Sequence, residues 1–455
     1  MASTGWFTTW SVRPAREAWD AAAAVRGAMV APRSSGFVPL ATLVTAIGQG
    51  IGSGRIADGN VAVNMQRSSD MQPIFLAGGD RQFVSEEMAY RHAVRPGDVL
   101  VARVGRQGRA CCVGNEDVPV IPRGELFVVR PRVQAWGPVI AAALSTGAVK
   151  EWISHLPTGA LMPTLTKATL GQIPVPKPGA FPYEELVERA WDAEVLVRSA
   201  RRLRDSVRQR IGLLLEKAPA TGSAQTYLEI RASDLPADWG WREVSQTWLL
   251  RQARRAVKGL SRFGDLIDHG SHRARTTLSG ESPFVLRREH LRADWYLAIP
   301  EVGPAEKDAE QAVADGGEPA KKNRAYVIDR ESLLIPVIGD IMGTPVVVPA
   351  EIVDRASSPL LVGTYWLPVV SPRYPRALAA ILDHPFLRLQ RQLAGSYAST
   401  APHIAREEIG NLLLPNPPES QWNQLENDLR AAQEQFLKAS SMVNEVLEEV
   451  ENWYR

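Results

Sequence analysis

The sequence predicts an α+β protein in which two similar mixed α/β domains alternate with two long α-helices. Two observations lead to this prediction. The C-terminal half repeats features of the N-terminal half at a spacing near 239 residues. Each copy also ends in a long segment whose apolar residues follow the spacing of a coiled coil. The predicted order along the chain is therefore domain, helix, domain, helix.

The helical segments are the clearer part of the repeat. Apolar residues alternate in steps of three and four over more than four heptads near the C-terminus, and the same series occurs 239 residues earlier. We therefore expect the two helices to pack against each other as an antiparallel coiled coil. The predicted seam residues are Leu186, Ala193, Ala200, Val207, Leu214, Leu425, Ala432, Phe436, Ala439, Val443, Val446 and Val450.

The domains repeat more loosely. Residues 97–113 and 332–348 each contain an apolar run, a glycine and a second apolar run, a pattern typical of a hairpin of buried strands. Proline-rich segments at 173–178 and 412–418 precede the two helices and mark the end of each domain.

These features predict four regions. The first domain covers 1–180, the first helix 181–218, the second domain 219–418 and the second helix 419–455. The composition of residues 219–226 indicates a flexible linker. Residues 301–322 are polar and lack aromatic side chains, which predicts a disordered insertion within the second domain.

Composition limits the class of protein. The chain has 455 residues, of which 45% are hydrophobic and 22% charged, so it can form two or three globular cores and is neither disordered nor fibrous. Its apolar stretches are shorter than the ~20 residues of a membrane helix, and the N-terminus lacks the charged start of a signal peptide. The two cysteines, Cys111 and Cys112, cannot form a disulfide framework. We expect a cytoplasmic protein that does not bind membranes.

Several enzyme classes are excluded by missing motifs. No lysine follows a glycine, so the chain has no Walker A motif, and no lysine has an acidic residue two positions earlier, as in many metal-dependent nucleases. The pair His269 and His272 lacks neighbouring ligands and predicts a surface loop rather than a zinc site. The glycine-rich segment 48–54 lacks the spacing of a nucleotide-binding loop and predicts a flexible loop facing DNA. Residues 416–419 resemble a methyltransferase motif but have Glu419 in place of its aromatic residue.

Charge leaves DNA binding open. The net charge is only +2, but arginine greatly outnumbers lysine. Arginine is suited to bidentate contacts with phosphates and guanine. The second helical segment is acidic, so the surfaces that meet different partners are expected to differ in charge.

The order of these elements resembles the DNA-specificity (S) subunit of type I restriction-modification systems, in which two target recognition domains alternate with two helical spacers. The resemblance rests on the hairpin at 95–108, the domain end at 159–178, its counterpart at 395–418, and the two helices. It covers essentially the whole chain. Unlike the usual pattern, no Glu-Gln pair follows the proline segments.

The resemblance implies a non-catalytic subunit that recognises a bipartite, asymmetric site in double-stranded DNA. It also implies that the subunit binds two adenine methyltransferase (modification) subunits and, through them, a restriction and translocation subunit. S-adenosylmethionine, ATP and Mg²⁺ are then expected on the partners, and this chain is expected to hold no cofactor or metal. Phage defence is the implied biological role.

Basic side chains near glycine-rich or polar loops are the candidates for contact with DNA, because cations there can reach phosphate or guanine. In the first domain they are Arg55, Arg67, Arg103, Arg106, Arg109 and Lys167. In the second domain they are Arg273, Arg275, Arg287, Arg288 and His403.

Two alternatives to this role remain at the level of sequence. One is an S-like adaptor that gives DNA recognition to another phage-defence complex. The other is a coiled-coil scaffold that binds DNA without sequence preference, for which affinity falls steeply with salt concentration. A methyltransferase or nuclease acting alone is disfavoured by the missing motifs.

Overall fold

The computed structural model describes residues 36–52, 58–71, 74–75, 80–104, 109–115, 119–154, 165–216, 257, 259–267, 284–286, 291–292, 295–298, 325–356, 360–370, 372–395 and 402–454. The mixed α and β class predicted from the sequence is confirmed. The predicted linker at 219–226 and the predicted insertion at 301–322 lie outside these residues.

The chain folds into two compact units. Unit 1 consists of Met1–Ser199 with Gln435–Arg455, and unit 2 consists of Ala200–Glu434. Both boundaries fall inside long helices, so each unit contains a part of both helices.

Unit 1 contains a five-stranded sheet, a three-stranded sheet and a two-stranded ribbon. Its strands are β1 (Phe37–Pro39), β2 (Val44–Gln49), β3 (Asp58–Gln66), β4 (Ile74–Phe75), β5 (Asp80–Val84), β6 (Val99–Ala102), β7 (Ala110–Cys112), β8 (Val120–Pro122), β9 (Leu126–Pro131) and β10 (Pro174–Pro176). The large sheet has the order β2-β9-β6-β7-β4, the smaller sheet β5-β3-β8, and the ribbon β1-β10. The helices of this domain are α1 (Leu40–Leu43), α2 (Glu86–His92), α3 (Gly137–Leu144), α4 (Gly147–Ser154) and α5 (Lys167–Gln172).

Unit 2 repeats this plan. Its strands are β11 (Leu260–Arg262), β12 (Phe284–Val285), β13 (Leu291–Arg292), β14 (Leu297–Ala298), β15 (Ala325–Ile328), β16 (Ser332–Pro336), β17 (Val346–Val348), β18 (Leu360–Gly363), β19 (Trp366–Val370) and β20 (Leu413–Pro415). The sheet orders are β13-β14-β17-β16-β19, β12-β18-β15 and β11-β20. The helices are α7 (Phe263–Leu266), α8 (Ala350–Arg355), α9 (Pro375–Leu382), α10 (Pro385–Ala394) and α11 (Arg406–Gly410).

The two frameworks share their pairing. In each large sheet, the hairpin β6-β7 or β16-β17 is antiparallel, with a further antiparallel strand (β9 or β19) on one side and a parallel strand (β4 or β14) on the other. The ribbon strands β10 and β20 lie 239 residues apart and pair antiparallel with β1 and β11. The outermost strands differ, since β2 pairs with β9 whereas β13 pairs with β14. The hairpins predicted at 97–113 and 332–348 are present.

The central strands form because they are short apolar runs buried on both faces. Every residue of Val99–Ala102 and of Val346–Val348 is buried. Full burial of one such side chain contributes about 1.5–3 kcal/mol. Helix α2 begins where the Ser85 hydroxyl accepts a hydrogen bond from the Met88 N–H, with acidic residues in its first turn and basic residues in its last.

The all-apolar helices α3 and α9 cover the large sheets, and every residue of each is buried. Cys111 and Cys112 lie in β7 with no exposed surface, and burial raises the pKa of both thiols. The two cysteines are free.

The long helices are α6 (Tyr183–Leu214) and α12 (Glu419–Trp453), close to the predicted ranges of 181–218 and 419–455. Leu214 is half-buried, and the other predicted seam residues are buried. In unit 1 the Arg189 guanidinium lies 3.5 Å from the Glu445 carboxylate, and the Phe181 ring stacks on Trp453 at 4.5 Å. In unit 2 Arg210 forms an ion pair with Asp428.

Candidate nucleic-acid interface

The large sheet of each unit ends in the same three-way backbone junction. In unit 1 the Arg103 N–H donates to the Glu125 carbonyl at 2.9 Å, and the Arg103 carbonyl accepts from the Leu165 N–H at 3.0 Å. In unit 2 Val337 makes the same two bonds, with Tyr365 and Ile404, both at 2.9 Å. Three chain segments therefore meet where β6 ends and where β16 ends, and we call these places the unit 1 tip and the unit 2 tip.

The unit 1 tip collects basic residues from separate parts of the chain. Arg103 follows β6, and the Arg109 carbonyl accepts from the Ala102 N–H at 2.9 Å on the neighbouring strand. Lys167 begins α5, two residues after Leu165. The Arg123 N–H donates to the Gln66 carbonyl at 2.9 Å, so Arg123 and Arg67 lie where β3 and β8 end, next to the turn that holds Glu125.

Exposure differs among these cations. Arg67 and Lys167 are exposed, whereas Arg103, Arg109 and Arg123 are half-buried. The Nε atoms of Arg103 and Arg123 are buried and make no hydrogen bond within the described part of the chain. Since a guanidinium carries five donors in a planar fork, such groups can hold phosphate or guanine oxygens.

The glycine-rich segment packs closely on this tip. The Ile51 N–H donates to the Pro122 carbonyl at 2.9 Å, and the Gly50 N–H donates to the Leu126 carbonyl at 3.0 Å. A Cβ on Gly50 would lie 2.2 Å from the Arg123 carbonyl oxygen, so a side chain is excluded there. The expectation of a flexible loop is wrong for residues 48–52, because backbone hydrogen bonds extend this segment along the sheet.

The unit 2 tip carries different side chains. His403 is exposed, and its backbone forms an antiparallel bridge with Ile338. The Gly339 N–H donates to the Pro402 carbonyl at 2.8 Å. The Tyr365 side chain is 62% exposed. A hydroxylated aromatic ring and an imidazole therefore occupy this tip, with Arg406 at the start of α11.

Six predicted DNA-binding residues lie outside the described residues, so the structure assigns them no position: Arg55, Arg106, Arg273, Arg275, Arg287 and Arg288. Arg123, Tyr365 and Arg406 were missed by the sequence analysis. The repeat itself could have identified Arg406, since it follows Lys167 by 239 residues. Tyr365 and Arg123 stand in strand-to-strand turns, and no motif marks them.

The described residues contain no group of three or more His, Cys, Asp or Glu side chains able to hold a metal ion. Within the same residues, none of the helices is both long and apolar enough to span a membrane.

The chain matches no family model, and no curated protein matches its sequence. Among solved structures it is similar to the S subunit of a type I restriction-modification system from M. genitalium, with 10% identity, 92% of this chain and 94% of that chain covered, and a TM-score of 0.40.

Two further structures are similar. One represents complex assembly and conformational transition of the type I restriction-modification system, with 16% identity, coverage of 93% and 98%, and a TM-score of 0.29. The other is the HsdS subunit from Thermoanaerobacter tengcongensis, with 14% identity, coverage of 92% and 95%, and a TM-score of 0.27. The class of protein that the sequence resembles is thus also the class found among similar structures.

Proposed function

We propose that this chain is a non-catalytic subunit that recognises a bipartite, asymmetric site in double-stranded DNA and directs adenine methyltransferase subunits to it. One observation carries the proposal: the two units repeat one strand framework but present different side chains at equivalent tips. A duplicated framework with divergent tips is suited to two unlike half-sites.

The chemistry of the tips supports this division. Arginine and lysine at the unit 1 tip match phosphate oxygens and the O6 and N7 acceptors of guanine. The unit 2 tip offers Tyr365 and His403, whose rings can contact base edges and donate or accept hydrogen bonds. We assign the first half-site to unit 1 and the second to unit 2.

The long helices serve as spacers in this proposal. Their seam residues form an antiparallel coiled coil, and their outer faces bind two methyltransferase subunits, with a restriction subunit attached through these. S-adenosylmethionine, ATP and Mg²⁺ belong to the partners. The complex acts in the cytoplasm in defence against phage.

The test is single-molecule sequencing of the source genome with this gene intact and with it deleted. Loss of one gapped, two-part adenine-methylated motif on deletion is the expected result. Restoring the gene should restore the motif.

An unchanged methylome in a strain whose methyltransferase partner is expressed would contradict the proposal and favour an adaptor of another complex. Binding of purified protein with its partner to DNA separates the remaining alternative. A non-specific scaffold would show a steep loss of affinity with salt and equal affinity for all sequences.

A further inference from the structure

The loop that joins β16 to β17 at the unit 2 tip has a defined conformation. Gly339 has a φ of +77°, a region that favours glycine. The Ile341 N–H donates to the Gly339 carbonyl at 3.0 Å, and the Gly343 N–H donates to the Asp340 carbonyl at 2.9 Å. Asp340 and Met342 are exposed, whereas the Ile341 side chain between them is only 2% exposed and packs in the core.

A buried arginine holds this loop from beneath. Arg391, in α10, has no exposed surface. Its guanidinium donates to the carbonyls of Gly343 at 2.9 Å, Met342 at 3.4 Å and Leu382 at 3.3 Å. Burial lowers the pKa of this guanidinium to about 10, so it stays protonated at neutral pH. Among the described residues Arg391 forms no ion pair, so backbone carbonyls take the place of a carboxylate.

A second group of polar contacts fixes the other end of the loop. The Thr344 hydroxyl donates to the Asp383 carboxylate at 2.8 Å and accepts from Arg388 at 3.1 Å. Asp383 also accepts from the Tyr296 hydroxyl at 3.3 Å and forms an ion pair with Arg388. Both ends of the loop are therefore anchored to side chains of the domain core.

The fold itself does not require a cation at this position. The equivalent helix in unit 1 is α4, 238 residues earlier, where Ile153 stands in place of Arg391 and is only 2% exposed. An aliphatic side chain thus fills the same place in the other unit. Because burying a guanidinium carries a large desolvation cost, its presence in unit 2 calls for a role beyond filling the core.

We propose that Arg391 is a positioning residue, which holds loop 339–344 in one conformation so that Asp340 and Met342 face the bases of the second half-site. The inference rests on the proposed function. A carboxylate gains nothing from the phosphate backbone and is repelled by it, so Asp340 contributes only where it accepts a hydrogen bond from an exocyclic amino group of cytosine or adenine. Such a contact needs exact placement, which a preformed loop supplies without an ordering cost on binding.

The experiment uses the full chain in complex with its methyltransferase partner. Affinity is measured for duplexes that carry single base-pair changes in either half-site. R391K keeps the charge but replaces a planar fork by a single ammonium group, which cannot reach three carbonyls together. We expect R391K to lose about tenfold discrimination at one or more positions of the second half-site and none at the first.

Leu387→Ala is the control for stability. Leu387 lies one turn earlier in α10, is fully buried in the unit 2 core and makes none of the polar contacts to the loop. Compared at an equal margin below each variant's Tm, L387A should discriminate as the wild type does. Equal loss in R391K and L387A would show that Arg391 acts only through stability, which overturns the inference.

Surface variants keep the test decisive if R391K does not fold. Asp340→Ala and Met342→Ala change exposed side chains, and one of them at least must relax discrimination at the second half-site. Unchanged discrimination in both contradicts the inference while leaving the proposed function intact. A wild-type complex without any sequence preference contradicts the proposed function and the inference together.

Discussion

At the scale of single residues, buried charge ties unit 2 to its own part of α12. Arg376, at the start of α9, is 3% exposed and lies 3.0 Å from the Glu426 carboxylate. The N–H groups of Arg376 and Ala377 both donate to the other oxygen of Glu426 at 2.9 Å. Arg376 Nε donates to Gln433 at 2.8 Å, and Gln433 donates to the Trp295 and Tyr296 carbonyls.

We predict that Arg376→Met destabilises unit 2 by about 3 kcal/mol at neutral pH, because it leaves the Glu426 carboxylate buried without its ion pair. Burial raises the pKa of Glu426 in the folded protein. Protonation therefore stabilises the folded state as the pH falls through that raised value, and the defect of the variant should shrink on acidification. Urea unfolding at a series of pH values measures both effects. A defect that grows as the pH falls would contradict this account.

Equivalent residues in the two long helices make different attachments. Glu194 precedes Gln433 by 239 residues, and both are buried. The Glu194 carboxylate accepts a hydrogen bond from the Asn115 N–H at 2.9 Å, whereas Gln433 donates to backbone carbonyls. The sequence could not predict these contacts, since in a heptad pattern such residues resemble solvated surface positions. Arg376 and Arg391 were unpredictable for the same reason.

At the scale of elements, the apolar seams are the features that the sequence predicted best. Heptad spacing depends only on neighbours along one helix, so it is visible without knowledge of the tertiary structure. The hairpins were predictable because their strands are buried apolar runs. The small sheets were not, since short strands such as β12 and β13 contain too few residues to show a period.

We predict that Val443→Asp and Val207→Asp each destabilise the unit in which they lie by about 3–5 kcal/mol, the cost of an uncompensated buried charge. Val443 belongs to the core of unit 1 and Val207 to that of unit 2. Val195→Asp is the matched control, because Val195 lies in α6 with half of its surface exposed. Circular dichroism melting curves compare the three variants, and equal Tm values would show that the seam assignment is wrong.

The glycine segment provides a second prediction for an element. Gly50→Ala should cost about 1–3 kcal/mol, because the added methyl overlaps the Arg123 carbonyl oxygen and forces β2 from the tip. Gly52→Ala is the control, as a Cβ there has no atom within 4 Å. Thermal unfolding should separate the two variants, and identical Tm values would contradict the close packing of this segment.

At the scale of the whole molecule, duplication with divergence is the central feature. The spacing of 239 residues in the sequence corresponds to equivalent strands and equivalent backbone junctions. The sequence predicted the repeat but only part of each tip, because the tips are assembled from segments far apart in the chain. Arg103, Glu125 and Leu165 meet through backbone hydrogen bonds that no local pattern reveals.

We predict that the two half-sites can be altered separately. Arg103→Gln combined with Arg123→Gln should reduce discrimination at the first half-site by about tenfold or more and leave the second unchanged. Tyr365→Ala should do the reverse. Arg91→Gln controls for lost charge, since Arg91 lies in α2 and forms an ion pair with Glu87. Competition binding with half-site variants measures this, and loss at both half-sites from either change would contradict the assignment.

The burial of Cys111 and Cys112 has a practical consequence. These are the only thiols in the chain, and both lie in the central sheet of unit 1. A thiol-modifying reagent therefore reacts only as fast as that sheet opens, so the labelling rate in native buffer is a clock for the local unfolding of one half of a duplicated molecule. The other half lacks the reactive group, and the natural sequence already contains the asymmetry that such an experiment usually has to introduce.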